Sequence, residues 1–441
     1  MAHEAPRCTS STPPAGRLPP APLPSDSLLR EREFLLFWCA RVAAMVAHQM
    51  LAVGVGWQIY ALTGSALDLG FVGLAQFVPA FVLVLVAGHV ADRFDRRRVL
   101  QACVVVEALA AGGLAFGSAQ GWITEALIFA LVFVVGAARA FQMPAMSALL
   151  PSLVPRALFA RAIASNSAAT QSAVIAGPAL GGIVYVAGPA AVYAASAALF
   201  LATGLLVHLI RLARRPPRTE KVDLDSVLAG IRFIRSRPAV LGAISLDLFA
   251  VLLGGATALL PIYARDILQT GPWGLGLLRS STAVGALAMA LYLARKPLAR
   301  HAGRLMFGGV ALFGLATIVF GVSRWFPLSV LALATLGAAD MVSVVVRSSL
   351  VQLRTPDEMR GRVSAVNALF IGTSNQLGEF ESGVTAAWFG VVPSVVIGGL
   401  GTLVVVALWM RWFPELVKID RLDAPPDAHE DRQATTPPPR S

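Results

Sequence analysis

Ala87–Leu100 reads AGHVADRFDRRRVL, and seven of these residues, His89, Asp92, Arg93, Asp95, Arg96, Arg97 and Arg98, are charged or titratable. The flanking segments 68–91 and 99–119 are otherwise strongly apolar. Each is close to the roughly 20 residues that cross a bilayer as a helix. Charge inside hydrocarbon costs about 2.5–3.5 kcal/mol per residue, so a dense charge cluster between two such runs belongs at a membrane surface. Each lipid-embedded span must also satisfy its own backbone hydrogen bonds. The reading is therefore an all-α integral membrane fold.

Composition extends that reading to the whole chain. Its 441 residues are 56% hydrophobic and 14% charged, with mean hydropathy +0.69. Soluble proteins carry about 45–50% apolar and about 25% charged residues. Twelve spans are predicted, at 34–61, 68–91, 99–119, 123–147, 160–187, 190–211, 239–264, 273–294, 304–323, 326–348, 363–389 and 391–413. The formal charge of +11 sits in the links between spans, which argues against nucleic acid as a partner. Cys8, Cys39 and Cys103 form no spaced motif. No phosphate loop, nucleophile elbow or metal cluster is visible, so neither an enzyme nor a cofactor is expected.

Alternate links are strongly basic. One set holds Arg93 to Arg98, Arg156 and Arg161, the arginines of 211–237, Arg295 to Arg304, and Arg354 to Arg362; the other holds only Arg265 and Arg324. Positive residues favour the cytoplasmic side, which places both termini inside. Residues 1–33 and 414–441, rich in Pro and polar residues, are expected to be disordered cytoplasmic tails. The longest link, 212–238, separates an N-terminal six-helix bundle, 34–211, from a C-terminal one, 239–413. Within it Val227, Ile231 and Ile234 recur at helical spacing among arginines, predicting an amphipathic helix on the inner leaflet.

The halves repeat. Ser147, Pro155, Arg161 and Asn166 match Ser348, Pro356, Arg362 and Asn367, all at an offset of 201 and each set joining the fourth span of its half to the fifth. Parallel duplication is the inference.

Gly88, Asp92, Arg93, Arg96 and Arg97 resemble the loop signature between the second and third helices of the major facilitator superfamily, with Asp95 where that signature has a second Gly. Gly177, Pro178, Gly181 and Gly182 resemble its antiporter-associated motif in the fifth helix. Phrases such as "QMLAVGVGWQIYALTGSA", "TPDEMRGRVSAVN" and "NQLGEFESG" resemble the enterobactin-exporter branch, which includes macrolide-efflux-like proteins. The resemblance covers about residues 30–413. It implies a fold of two six-helix repeats around a midplane site. It also implies a gating contact from Asp92 to the start of the eleventh helix, with Arg362 as the ion-pair candidate.

Charges within spans are the remaining candidates, because such residues face cavities or partners. The resemblance implies a cavity lined by helices 1, 4, 7 and 10. That brings Arg41, His48, Gln49, Arg139, Asp247 and Asp340 within reach of it. Arg139 and Asp340 are again 201 apart, and a pair between them is possible. Asn367, Ile371, Asn375 and Glu379 form a stripe on the eleventh span, with Glu381 directed elsewhere. Proton coupling needs a carboxyl that loads and unloads near neutral pH, which burial favours. Asp247 and Glu379 are the expected carriers, with His48 a further candidate and Arg279 a possible counter-charge. The functional expectation is a proton antiporter exporting a small amphipathic molecule, siderophore or drug-like, across a bacterial inner membrane as a monomer. The alternatives are a proton-coupled uptake symporter or a non-transporting sensor.

Overall fold

The computed structural model describes residue 28 and residues 31–155, 158–211, 224–296 and 300–420, and every regular element among them is helical. The first half comprises α1 (Arg32–Thr63), α2 (Ala66–Arg93), α3 (Arg96–Gln120), α4 (Glu125–Leu153), α5 (Phe159–Tyr185) and α6 (Pro189–Leu209). A linker helix, α7 (Leu224–Ser236), leads to α8 (Pro238–Leu253) and the three-residue α9 (Leu260–Ile262). The second half continues with α10 (Gly271–Arg295), α11 (Ala302–Val322), α12 (Phe326–Leu353), α13 (Asp357–Phe389), α14 (Val391–Trp412) and α15 (Pro414–Lys418).

Local chemistry sets these boundaries. Ser65 and Thr124 accept hydrogen bonds from the backbone of Asp68 and Leu127, capping α2 and α4. Gly64 and Gly121 end α1 and α3 in the left-handed conformation. Among the described residues, eleven spans are long and apolar enough to cross a membrane. The twelfth, α13, is equally long but carries the polar stripe. The seventh predicted span is not one continuous helix. Gly254 and Gly255 interrupt it, followed by 3-10 turns at Ala256–Leu259, α9, and a π-helical turn at Tyr263–Ile267.

The duplication is repeated in the packing. In the first half α3 packs on α6, α2 on α4, and α1 on both α5 and α6; in the second α11 packs on α14, α10 on α12, and α8 on both α13 and α14. The halves meet through α5 against α10 and α2 against α13. These two contacts exchange with each other when the halves are interchanged, as a pseudo-two-fold requires. Large apolar side chains remain outside, including Phe81, Val82, Leu109 and Phe116, while Trp122, Trp325, Trp388 and Trp412 stand exposed near helix ends, as at membrane interfaces.

Two expectations change. The apolar face of α7 packs on protein: Ile231, Phe233 and Ile234 join Val240 and Ile244 of α8 and Val363 and Val366 of α13. Helical spacing cannot separate a lipid-facing stripe from a protein-facing one. Val227's side chain lies outside the described residues. The C-terminal tail does not begin at 414 either, because Leu416 and Ile419 are buried against Ala302 and Met306 of α11.

Candidate functional site

The charged link is partly built into the bundle. Asp95 caps α3, accepting from the backbone N–H of Arg97 at 2.9 Å, so the acid occupying the signature's Gly position starts the next helix. Arg97 donates to the carbonyl of His208 near the end of α6, and Arg96 to that of Ala148 in α4 at 3.1 Å. Arg93 is exposed. The side-chain environments of Gly88 and Asp92 lie outside the described residues, and so does the expected contact between Asp92 and Arg362. Arg362 is exposed, with Nη1 3.6 Å from Met359 Sδ.

Inside the first half a polar network joins three helices. His48 Nε2 on α1 donates to Gln142 Oε1 on α4 at 3.0 Å, and Gln142 Nε2 donates to Glu107 Oε2 on α3 at 2.9 Å. Glu107 is fully buried, with its other oxygen 3.5 Å from His48. Arg139, one turn before Gln142, is within electrostatic reach of Glu107 and also of Glu379 on α13. His48 packs edge-on against Phe200 of α6 at 4.9 Å. It therefore faces the core of its own half, not the cavity expected for it. Gln142 was not among the expected residues; its spacing of three from Arg139 was the available signal.

The possible Arg139–Asp340 pair does not form. Equivalent repeat positions share depth, but Arg139 is within electrostatic reach of Glu107 and Glu379, whereas Asp340 lies beside Asp247 and Arg347. Glu379 is within electrostatic reach of Arg279 on α10 and Arg139 of the opposite half. Its carboxylate packs closely over Gly73 of α2, at the interface between halves. Asp247 on α8 is buried and paired with Arg347 on α12. Asp340 lines a small cavity with Asp247, Ser343, Val310 and Phe313. Glu381 accepts from Ser382.

The α5 motif packs both within and between halves. A methyl group on Gly177 would meet Gln49, and one on Gly181 would meet Met50, both on α1. Gly182 faces Pro272 and Gly276 of α10, and Gly276 in turn lies over the carbonyl of Pro178. Ser280 Oγ and Gln171 Nε2 add cross-half bonds to the carbonyls of Ile175 and Ala283, at 2.6 and 3.3 Å. At the tip of α1, Tyr60 donates to Asp266, and Arg265 donates to the Tyr60 carbonyl at 3.1 Å with its guanidinium over the ring. Arg41 Nε donates to Thr170 of α5 at 3.3 Å, and Asn375 is exposed on α13. The cross-half hydrogen bonds and glycine contacts of the described residues run from mid-helix to the end where α1 stops and α2 starts. That end is closed.

Two parallel six-helix bundles, joined at a pseudo-two-fold interface with charged side chains of both halves near it, define a transporter of the major facilitator superfamily. Residues 25–436 match the transmembrane secretion effector family of that superfamily, and the chain belongs to it. The enterobactin exporter EntS of Citrobacter koseri is 26% identical over 395 residues, covering 89% of this chain and 95% of that protein. The enterobactin exporter EntS of Escherichia coli O81 is 26% identical, covering 87% and 92%. In fold the chain is similar to an inward-facing, occupied bacterial homologue of the human lysosomal transporter Spinster, with TM-score 0.71 and 14% identity over 89% of this chain and 99% of that one. A D-xylose–proton symporter superposes with TM-score 0.66 at 14% identity, covering 87% and 98%.

Proposed function

We propose that this membrane transporter exports a small amphipathic molecule, siderophore or drug-like, in exchange for protons. In this reading it acts as a monomer in a bacterial inner membrane. The basic links and both termini face the cytoplasm, so the closed end is the outer one and the present state opens inward. The observation that carries the proton step is that Glu379 packs over Gly73 of the first half, within electrostatic reach of Arg139 of the first half and Arg279 of the second. An ionised and a protonated Glu379 differ in their attraction to the arginines of the two halves, so the arrangement of the halves depends on its charge state. Protonation and conformation then depend on each other, which is the thermodynamic requirement of coupling. Substrate arriving from inside favours loss of the proton inward, and outward opening reloads the carboxyl. The names of the relatives support a siderophore as the first substrate to test.

The experiment is transport of labelled enterobactin into proteoliposomes under an imposed pH gradient of either sign. Antiport predicts accumulation opposite to the proton flow, whereas an uptake symporter would move both in the same direction. Glu379→Gln is expected to abolish gradient-driven accumulation and to keep downhill flux. Unchanged uphill transport in that variant would remove Glu379 from the mechanism.

A further inference from the structure

The second half holds a charge imbalance that the interface carboxylate does not use. Asp247, Asp340 and Arg347 lie together, and Arg347 is committed to Asp247, with both partners almost wholly buried. Asp340 sits at mid-length of α12 and makes no hydrogen bond or ion pair among the described residues. It opens instead onto a cavity whose other walls are Asp247, Ser343 and the apolar Ala250, Val251, Val310 and Phe313. The charged groups acting on it are Asp247 and Arg347. Of the other helices packed on α12, α11 presents Val310 and Phe313 to the cavity, α10 directs Arg279 to Glu379, and Glu379 and Glu381 of α13 do not act on Asp340. Two carboxylates against one guanidinium leave an excess negative charge in a small cavity whose other walls are mostly apolar, and such a charge is disfavoured unless it is neutralised.

We propose that Asp340 carries a second exchangeable proton, held in the cavity between α8, α11 and α12 and separate from Glu379. The inference rests on the proton-exchange reading above. The site has no copy in the first half, where Arg139 stands at the position equivalent to Asp340 and Met146 at that of Arg347. Val251 lines the cavity just before the Gly254–Gly255 interruption. Bending there hydrates Asp340 and lets its proton leave, and straightening dries the cavity and favours reloading. One proton thus governs contact between the halves, and the other the bend of the seventh span.

The test is infrared spectroscopy of the purified protein in lipid, with pH titration, beside proton counter-flow per enterobactin in dye-loaded proteoliposomes. The wild type is expected to show the C=O stretch of a protonated carboxyl at neutral pH. Asp340→Asn should lose it, and Glu379→Gln should keep it. Asp247→Asn should also lose it, because Arg347 is then free to pair with Asp340. Asp340→Asn is close in shape to the protonated acid, and an unchanged thermal transition confirms its folding. Its counter-flow should fall by one proton per substrate. No proton movement in the wild type would defeat the exchange reading itself. Wild-type counter-flow together with an unchanged ratio and an unchanged carboxyl band in Asp340→Asn would overturn only the present inference.

Discussion

The buried pair of Asp247 and Arg347 shows what a single side chain does in this bundle. Both ends are withdrawn from water, so removing one partner strands a charge, at a cost of about 3–5 kcal/mol. Arg347→Met should therefore lower the thermal unfolding midpoint in detergent sharply. Asp247→Leu combined with Arg347→Met should recover much of the loss, because neither member of the pair is then left without the other. Equal midpoints for the single and double variants would mean that the pair contributes nothing. Asp95 gives a smaller test at the surface: Asp95→Ala should cost about 1 kcal/mol through loss of the α3 cap, and Asp95→Ser should retain most of it. In the sequence the intramembrane charges were legible as exceptions in apolar runs. Their partners were not, because Arg347 lies a hundred residues from Asp247 and no local spacing connects them.

Helices were more legible than partnerships. Hydropathy and basic links located the spans to within a few residues, apart from the α4 and α12 C-termini, the α13 N-terminus and the break after Leu253. That break was written as Gly254–Gly255 and Pro261, yet a continuous apolar run overrides glycine in a hydropathy reading. The motif in α5 was legible as a packing signal, but its target was not. Gly276 of α10 meets it across the interface, and both backbones come too close to admit side chains. Gly182→Val should therefore prevent closure of this end without unfolding either half. Cysteines placed along α5 and α10 at the interface should become accessible to a reagent added from that side. If their labelling stays at the wild-type level, the interlock is not what closes this end.

At the scale of the whole molecule, two packed halves give two arrangements of similar energy, and the balance lies in whatever crosses the closed end. The cluster joins a buried Tyr60 to the half-exposed Arg265 and Asp266 and is made by both halves, so it forms in one arrangement and is lost in the other. A hydrogen bond to a charged group contributes roughly 1.5–3 kcal/mol. About 1.4 kcal/mol shifts a population tenfold. Tyr60→Phe should thus move the resting distribution toward opening at this end by about tenfold or more, and Asp266→Asn by less, since the amide still accepts the bond. Spin labels at Leu62 on α1 and Trp273 on α10, both exposed, measure the separation directly. A longer-distance population in Tyr60→Phe, with helix content unchanged, is the expected result. An unaltered distance distribution in both variants would mean that the α5–α10 and α2–α13 interlocks close the end alone. The polar cluster would then merely cover a junction that packing has already sealed.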